Sequence, residues 1–224
     1  MRLINFLKSN EIIRWFFHPY IIYKRNKLNR QISNRFLKNA DRALMKFFEV
    51  TENLKLNCWL SFGTLLGAVR ENDFLKHDSD IDLGMFFKDY SVEFENALIN
   101  AGFKKIKQFE VANKLSGFEQ SWLYETTKID IFFHFTDNEK MKCHTFYTID
   151  NKTNILEVTF TNTGFKSTKF KNVIVNVPNN TDLYLKENYG ESYMIPNKKW
   201  NYIKDPKNIK LIQEFEPSLI EYNK

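Results

Sequence analysis

The sequence predicts an α+β (α/β) fold in which helices flank a mixed β-sheet. Three observations support this prediction. Apolar residues between Ile32 and Leu54 recur at helical spacing, with polar residues between them. The apolar run 58–60 and the alternating run 79–87 predict two buried strands separated by a turn. Residues 103–177 mostly alternate between apolar and polar side chains, which is typical of strands.

The first predicted helix covers about residues 30–55. Its apolar positions lie close to a period of 3.6 residues, which places them on one face. These positions are Ile32, Phe36, Ala40, Leu44, Phe47 and Leu54. We predict that residues 31–224 form one folded domain and that residues 1–30 form a separate basic amphipathic segment.

The positive charge is concentrated at the amino terminus. Residues 1–40 contain nine Lys or Arg and one acid, whereas the whole chain contains 33 bases and 27 acids. Such a leader attracts anionic phosphates, and its aromatic residues either lie on an anionic membrane surface or pack on the domain. Nucleic acid is not expected as a partner, because the rest of the chain is slightly acidic.

The sequence contains no run of the ~20 apolar residues that a membrane-spanning helix needs. Two cysteines, Cys58 and Cys143, do not form a disulfide framework. We therefore expect a cytoplasmic protein with peripheral contact at the inner face of the cell membrane.

A Gly-Thr pair follows the first predicted strand. Thr64 is expected to cap a short helix that continues to Arg70. After the second strand, residues 92–101 predict a helix that ends at Gly102.

The last elements are defined by helix-breaking and turn residues. Pro178 is expected to close the final strand, and Thr181 to begin a helix that ends at Gly190. The tail from Glu191 onward is expected to be irregular. It contains Pro196, Pro206 and Pro217.

The segment HDSDIDLGMF, residues 77–86, contains the main candidate for chemistry. Strand alternation places Asp80, Asp82 and Gly84 on one face and the intervening apolar residues on the other. Residues two apart on a strand are separated by ~6.6 Å, so the two carboxylates can converge on a cation. Oxygen ligands favour Mg²⁺ or Mn²⁺, and paired ions are common in phosphoryl transfer. The alternative to a metal site is that these acids lie in a solvated loop and have no catalytic role.

The Gly-Thr turn is a candidate phosphate-binding element. Gly63 lets a ligand approach the backbone closely. Thr64 and the N-terminus of the following helix offer hydrogen-bond donors for phosphate oxygens. Arg70 either binds phosphate or pairs with Glu71. A strand, a Gly-Thr turn, a short helix and a strand bearing Asp-x-Asp form the architecture of the nucleotidyltransferase fold.

Two further aspartates belong to the candidate site. Asp130 alternates with apolar neighbours, so it is expected to face the same cleft as Asp80 and Asp82 and to serve as a metal ligand or as the proton acceptor. An isolated surface carboxylate is the alternative. Asp78 is either a further metal ligand or a residue that orients the loop.

Residues 61–86 resemble the signature of the LicD family, a Gly-Thr-Leu-Leu-Gly-Ala-x-Arg motif followed by an acidic triplet. The chain keeps Gly63, Thr64, Arg70 and the Asp-x-Asp-x-Asp spacing, but has His77 and Ser79 where the family usually has Trp and Asp. Residues 128–133 and 175–196 resemble later elements of the family.

The resemblance implies a metal-dependent phosphotransferase of the nucleotidyltransferase fold, similar to bacterial phosphocholine transferases and related to fukutin and fukutin-related protein. It implies transfer of phosphocholine or a phospho-polyol from a CDP-activated donor to a glycan or lipid-linked glycan acceptor, as in lipopolysaccharide or capsule synthesis. Two alternatives remain: transfer of NMP from an NTP, and a non-catalytic protein that binds anionic membrane or nucleic acid through its leader.

Overall fold

The computed structural model describes residues 11–137, 139–150 and 152–222; side chains 11–22 and 25–26 are not described. Within these ranges, four α-helices accompany one mixed 11-stranded sheet. The predicted α+β fold is confirmed.

The helices are α1 (Glu11–Asn53), α2 (Phe62–Arg70), α3 (Val92–Asn100) and α4 (Thr181–Tyr189), with a short 3-10 helix at Phe87–Asp89. The strands are β1 (Cys58–Leu60), β2 (Asp80–Phe86), β3 (Lys104–Glu110), β4 (Phe118–Tyr124), β5 (Thr127–Thr136), β6 (Lys140–Ile149), β7 (Lys152–Thr161), β8 (Phe165–Phe170), β9 (Val173–Pro178), β10 (Ile209–Ile212) and β11 (Ser218–Glu221).

Helix α1 is longer than predicted and passes residue 30 without a break. The middle of its predicted apolar stripe is buried, with Phe36, Ala40, Leu44 and Phe47 no more than 1% exposed, whereas Ile32 at one end is 41% exposed and Leu54 at the other is half-buried. The predicted segment 1–30 falls partly on residues and side chains outside those described, so its separate role stays a prediction.

The central strands hold the candidate site. The sheet runs in the order β10-β7-β6-β5-β2-β1-β9-β8, and β4, β3 and β11 branch from β5. Strand β2 pairs with β5 in parallel and with β1 in antiparallel orientation. The acidic strand β2 is therefore held on both sides, with its backbone fixed by two ladders.

The turn between β1 and α2 corrects one prediction. Helix α2 begins at Phe62, after Ser61, so Thr64 lies inside the helix and is not its cap. The hydroxyl of Thr64 instead accepts a hydrogen bond from the Asp82 N–H at 2.9 Å. Ser61 makes no capping bond and shares a 2.7 Å hydrogen bond with the buried Tyr184 hydroxyl.

The prediction of an irregular tail is wrong over two short segments. Strand β10 pairs with β7, and β11 pairs with β3. Both strands have mostly exposed or half-buried side chains, so their apolar patterns are weak, and they form because open sheet edges accept them. In the part of the chain that the structure describes, no helix is both long and apolar enough to cross a membrane.

Candidate active site

Asp82 is tied to the Gly-Thr turn through three of its groups. Its Oδ2 accepts a hydrogen bond from the Gly63 N–H at 3.0 Å, and its own N–H donates to Thr64. Its carbonyl oxygen accepts from the Ser61 N–H at 3.0 Å. Gly63 and Thr64, predicted as a phosphate-binding turn, therefore form part of the first turn of α2 and lie directly against the acidic strand.

Strands β2 and β5 bring four charged side chains to one face. In their parallel register Asp82 lies beside Asp130, and Asp80 lies beside Lys128. The Lys128 Nζ is 2.8 Å from Asp80 Oδ2 and 2.7 Å from Asp130 Oδ2. Asp130 is 7% exposed, and its Oδ1 accepts a 2.6 Å hydrogen bond from the Ser121 hydroxyl. Asp130 is thus buried in the cleft beside Asp82.

Asp78 approaches the same turn from the loop before β2. A Cβ added to Gly63 would lie 3.1 Å from Asp82 Oδ2 and 3.8 Å from Asp78 Oδ1, so the two carboxylates flank one point. The Asp78 Oδ2 also accepts a 3.3 Å hydrogen bond from the Leu75 N–H. This contact orients the loop, and it leaves Oδ1 directed toward the space beside Gly63.

Burial and mutual repulsion disturb the acids of the cluster. Burial raises the pKa of Asp82 well above its ordinary value, and the charges of Asp80, Asp130 and Asp78 raise it further. Burial, followed by the charge of Asp80, raises the pKa of Asp78 to about 7. The pKa of Asp130 is also raised by burial, although the neighbouring Lys128 opposes the rise. The cluster therefore carries more negative charge than its surroundings compensate.

Arg70 lies at the end of α2 with its side chain 9% exposed. One guanidinium nitrogen donates to the Tyr193 carbonyl at 3.3 Å, and another lies 3.8 Å from a Glu71 carboxylate oxygen. Its buried Nε has no hydrogen-bond partner among the described residues. The structure thus contains the predicted pair of Arg70 with Glu71, and phosphate binding by Arg70 stays a prediction.

A family model described as "LicD/FKTN/FKRP, nucleotidyltransferase domain" matches residues 55–180, more than half of the chain. The chain belongs to this family. The resemblance inferred from residues 61–86 is therefore confirmed. The matched range includes the Gly-Thr turn, the acidic strand β2 and Asp130, so the family's domain coincides with the cluster just described.

Curated relatives agree with this assignment. The chain is 31% identical over 176 residues to a ribitol-5-phosphate transferase FKTN of Macaca fascicularis, and 30% identical over 176 residues to the same-named human protein. These matches cover 78% of this chain and 37% of each relative. An uncharacterized protein of Caenorhabditis elegans, T07A5.1, is 29% identical over 127 residues, covering 54% of this chain and 32% of the relative. The chain thus spans less than half the length of these relatives.

The structure adds three residues that the sequence analysis did not identify: Ser121, Lys128 and Glu119. Lys128 could have been predicted from the sequence, because it precedes Asp130 by two residues and therefore lies on the same face of the strand. Ser121 and Glu119 come from β4, and only the β4–β5 register brings them near. Burial raises the pKa of Glu119 well above its ordinary value, and the charge of Asp130 adds to the rise.

Aromatic rings lie at two boundaries of the LicD-family site. Gly84 is opposite Trp59 in the β1–β2 register, and the indole covers the place where a Gly84 side chain would lie. The acidic face of β2 therefore ends at Trp59. Near the other boundary, the charges of Asp82 and Asp78 add to burial in raising the pKa of Tyr189, whose ring packs 5.0 Å from that of Trp200.

The residues present fit a hard divalent cation. Their side-chain donors are carboxylate oxygens, which Mg²⁺ and Mn²⁺ prefer, and the repulsion among the acids is the kind that a bound cation relieves. Among the described residues, no three His, Cys, Asp or Glu side chains are placed so that together they could hold a metal ion without rearrangement. One reason is that the Lys128 ammonium lies between Asp80 and Asp130.

Proposed function

We propose that this chain is a metal-dependent phosphotransferase. It moves a substituted phosphate, of the phospho-polyol or phosphocholine type, from a CDP-activated donor to a hydroxyl of a glycan precursor. The observation that carries the proposal is the convergence of Asp78 and Asp82 on the Gly63 turn, with Asp80 and Asp130 on the adjoining strand positions. The name ribitol-5-phosphate transferase, given to the relatives, favours a phospho-polyol as the transferred group.

The reaction forms one bond and breaks one. The acceptor hydroxyl oxygen attacks the phosphorus that bears the polyol, the bond from that phosphorus to the CMP oxygen breaks, and CMP leaves. The hydroxyl proton passes to a carboxylate of the cleft, for which Asp130 is the candidate. When bound, Mg²⁺ or Mn²⁺ supplies charge neutralisation for the diphosphate and the leaving CMP.

The chain's own residues bind and orient the donor. Asp78, Asp80, Asp82 and Asp130 are the candidate metal ligands, and Gly63 and Thr64, in the first turn of α2, are the candidate donor-binding residues beside Asp82. Arg70 is the candidate phosphate ligand, because its guanidinium lies at the end of α2 and its charge acts on Asp78 of the acidic cluster.

A screen of nucleotide products tests the proposal. The folded chain is incubated with CDP-ribitol, CDP-choline, CTP or ATP in the presence of Mn²⁺, and the released nucleotides are separated by chromatography. We expect CMP from a CDP-linked donor, and no CMP from an Asp80→Ala/Asp82→Ala double variant that is still folded. Pyrophosphate from an NTP without CMP from any CDP donor would support NMP transfer instead. Full activity of the double variant would contradict the site.

Substituting alanine for Gly63 tests the turn. The added Cβ would lie 3.1 Å from Asp82 Oδ2, so the carboxylate must shift by a few tenths of an ångström. We expect the transfer rate to fall by about 10- to 100-fold, because small misplacements of reacting groups are costly. The measurement is CMP release together with thermal melting.

Gly102→Ala is the matched control for this variant. Gly102 has a φ of 95° at the end of α3, and an added Cβ would meet only Tyr124 at 3.6 Å. That variant is expected to lose about 1 kcal/mol of stability and to keep its activity. Equal activity of Gly63→Ala and the wild type would contradict the role of the turn.

The location of the protein stays a prediction. The basic leader is proposed to hold the enzyme against anionic lipid at the inner face of the cell membrane, near lipid-linked glycan acceptors. Its charge, nine Lys or Arg against one acid within residues 1–40, is the support for this proposal.

A further inference from the structure

Lys128 occupies a defined place within the acidic cluster. Its Nζ contacts Asp80 Oδ2 at 2.8 Å and Asp130 Oδ2 at 2.7 Å. The β2–β5 register places Lys128 beside Asp80, and strand alternation places it on the same face as Asp130. The backbone of two paired central strands thus fixes all three side chains, and the contact does not depend on a loop.

Asp130 is held by two donors of the protein. Its Oδ2 contacts the Lys128 ammonium at 2.7 Å. Asp130 has a second donor in the Ser121 hydroxyl, 2.6 Å from its Oδ1. Both oxygens of Asp130 are therefore satisfied by the protein itself.

Among the described residues, the other half of the cluster has no such contact with a basic side chain. Within the described ranges, no lysine or arginine forms an ion pair with Asp78 or Asp82. The Asp82 Oδ2 accepts only the Gly63 N–H, and the Asp78 Oδ2 accepts the Leu75 N–H. We call Asp80 and Asp130 the compensated pair, because they share one contacting ammonium, and Asp78 and Asp82 the uncompensated pair, because the charges of Arg70 and Lys128 act on them only from a distance.

We propose that Lys128 is a built-in cation for the compensated pair, so that, of the four candidate metal ligands, only the uncompensated pair binds a divalent ion and the chain binds a single one. Four free carboxylates on two adjoining strands and the loop before β2 would be expected to hold two ions, as in two-metal phosphoryl-transfer sites. Here the ammonium takes the place of the second ion and keeps Asp80 and Asp130 oriented. Lys128 is in this sense a positioning residue. The inference rests on the proposed metal dependence of the enzyme.

Counting bound Mn²⁺ tests this inference directly. The full chain is titrated with Mn²⁺, and free Mn²⁺ is measured by electron paramagnetic resonance at high protein concentration, so that weakly held ions are counted. We expect one ion per chain for the wild type and two for Lys128→Met, which keeps the length of the side chain and removes its charge. Lys128→Arg, which keeps the charge, is expected to bind one ion.

Lys142→Met is the matched control, because Lys142 is a similarly exposed strand lysine that pairs with Glu157 at 3.5 Å outside the site. It is expected to bind one ion. Circular dichroism and thermal melting establish that each variant is folded. If Lys128→Met does not fold, Lys128→Gln, whose amide can still donate to a carboxylate, takes its place with the same expectation.

The Mn²⁺ count distinguishes a failure of the proposed role of Lys128 from a failure of the proposed metal dependence. Two ions in the wild type would overturn the role of Lys128 and leave the proposed metal dependence intact. An uncharged Lys128 variant that still binds one ion would likewise overturn the role of Lys128. A wild type that binds no Mn²⁺ would overturn the metal dependence, and this inference with it.

Discussion

Asp82→Asn is expected to lower the rate of phosphoryl transfer by about 10³-fold, equivalent to about 4 kcal/mol of transition-state stabilisation. The amide keeps the shape of the side chain, and its oxygen can still accept the hydrogen bond from the Gly63 N–H. What it removes is the negative charge at the point where Asp78 and Asp82 converge. The loss is measured as CMP release from the preferred CDP donor.

The same variant is expected to keep or gain thermal stability. Burial and three neighbouring carboxylates raise the pKa of Asp82, so ionising it at neutral pH costs folding free energy. Asparagine does not bear this cost. Any gain in melting temperature should therefore be largest above the raised pKa and shrink as the pH falls from there toward about 4, the ordinary Asp pKa, below which the unfolded chain is protonated as well.

Asp41→Asn is the control for the loss of one negative charge outside the active site. Asp41 is a half-exposed carboxylate on α1 that pairs with Lys171 at 3.7 Å. Its substitution is expected to leave the transfer rate within a factor of about two, because surface ion pairs contribute little. An Asp82→Asn variant that is as active as Asp41→Asn would remove Asp82 from the chemistry.

Gly84→Ala is expected to destabilise the fold by about 3 kcal/mol or more, through overpacking. An added Cβ would lie 2.3 Å from two atoms of the Trp59 indole, which is fully buried. Neighbouring rings confine the indole, because Phe165 lies 4.2 Å and Phe86 5.0 Å from it, centroid to centroid. For a chain of this size the expected fall in melting temperature is about 6–12 °C.

A double variant separates this steric cause from other effects. Trp59→Phe shortens the ring that Gly84→Ala meets, so the double variant should lose less stability than the two single variants together. The measurement is a double-mutant cycle by chemical denaturation. Additive losses would show that the contact between position 84 and Trp59 does not cause the destabilisation.

The local parts of the site were predictable from sequence. Side-chain alternation within one strand predicts that Asp80 and Asp82 lie on the same face. Helical periodicity predicts the apolar stripe of α1. Asp130 was placed in the cleft by the same alternation. Its pairing with Asp82 required the parallel register of β2 and β5, which follows from the fold.

The missed features depend on contacts between distant segments. Ser121 and Glu119 reach the cluster only because β4 pairs antiparallel with β5. Thr64 was assigned as a helix cap because its hydroxyl suits that role, but the helix begins two residues earlier and the Asp82 N–H takes the hydroxyl instead. Strands β10 and β11 were missed because their pairing partners, rather than their own patterns, define them.

The most direct test of the account is the location of Mn²⁺ in crystals of the wild-type chain grown with Mn²⁺ and CDP, by anomalous scattering. The account predicts an anomalous peak within coordination distance of an Asp82 carboxylate oxygen, beside the Gly63 turn, with the diphosphate of CDP next to it. A bound CDP at another surface, with no Mn²⁺ at Asp82, would contradict it.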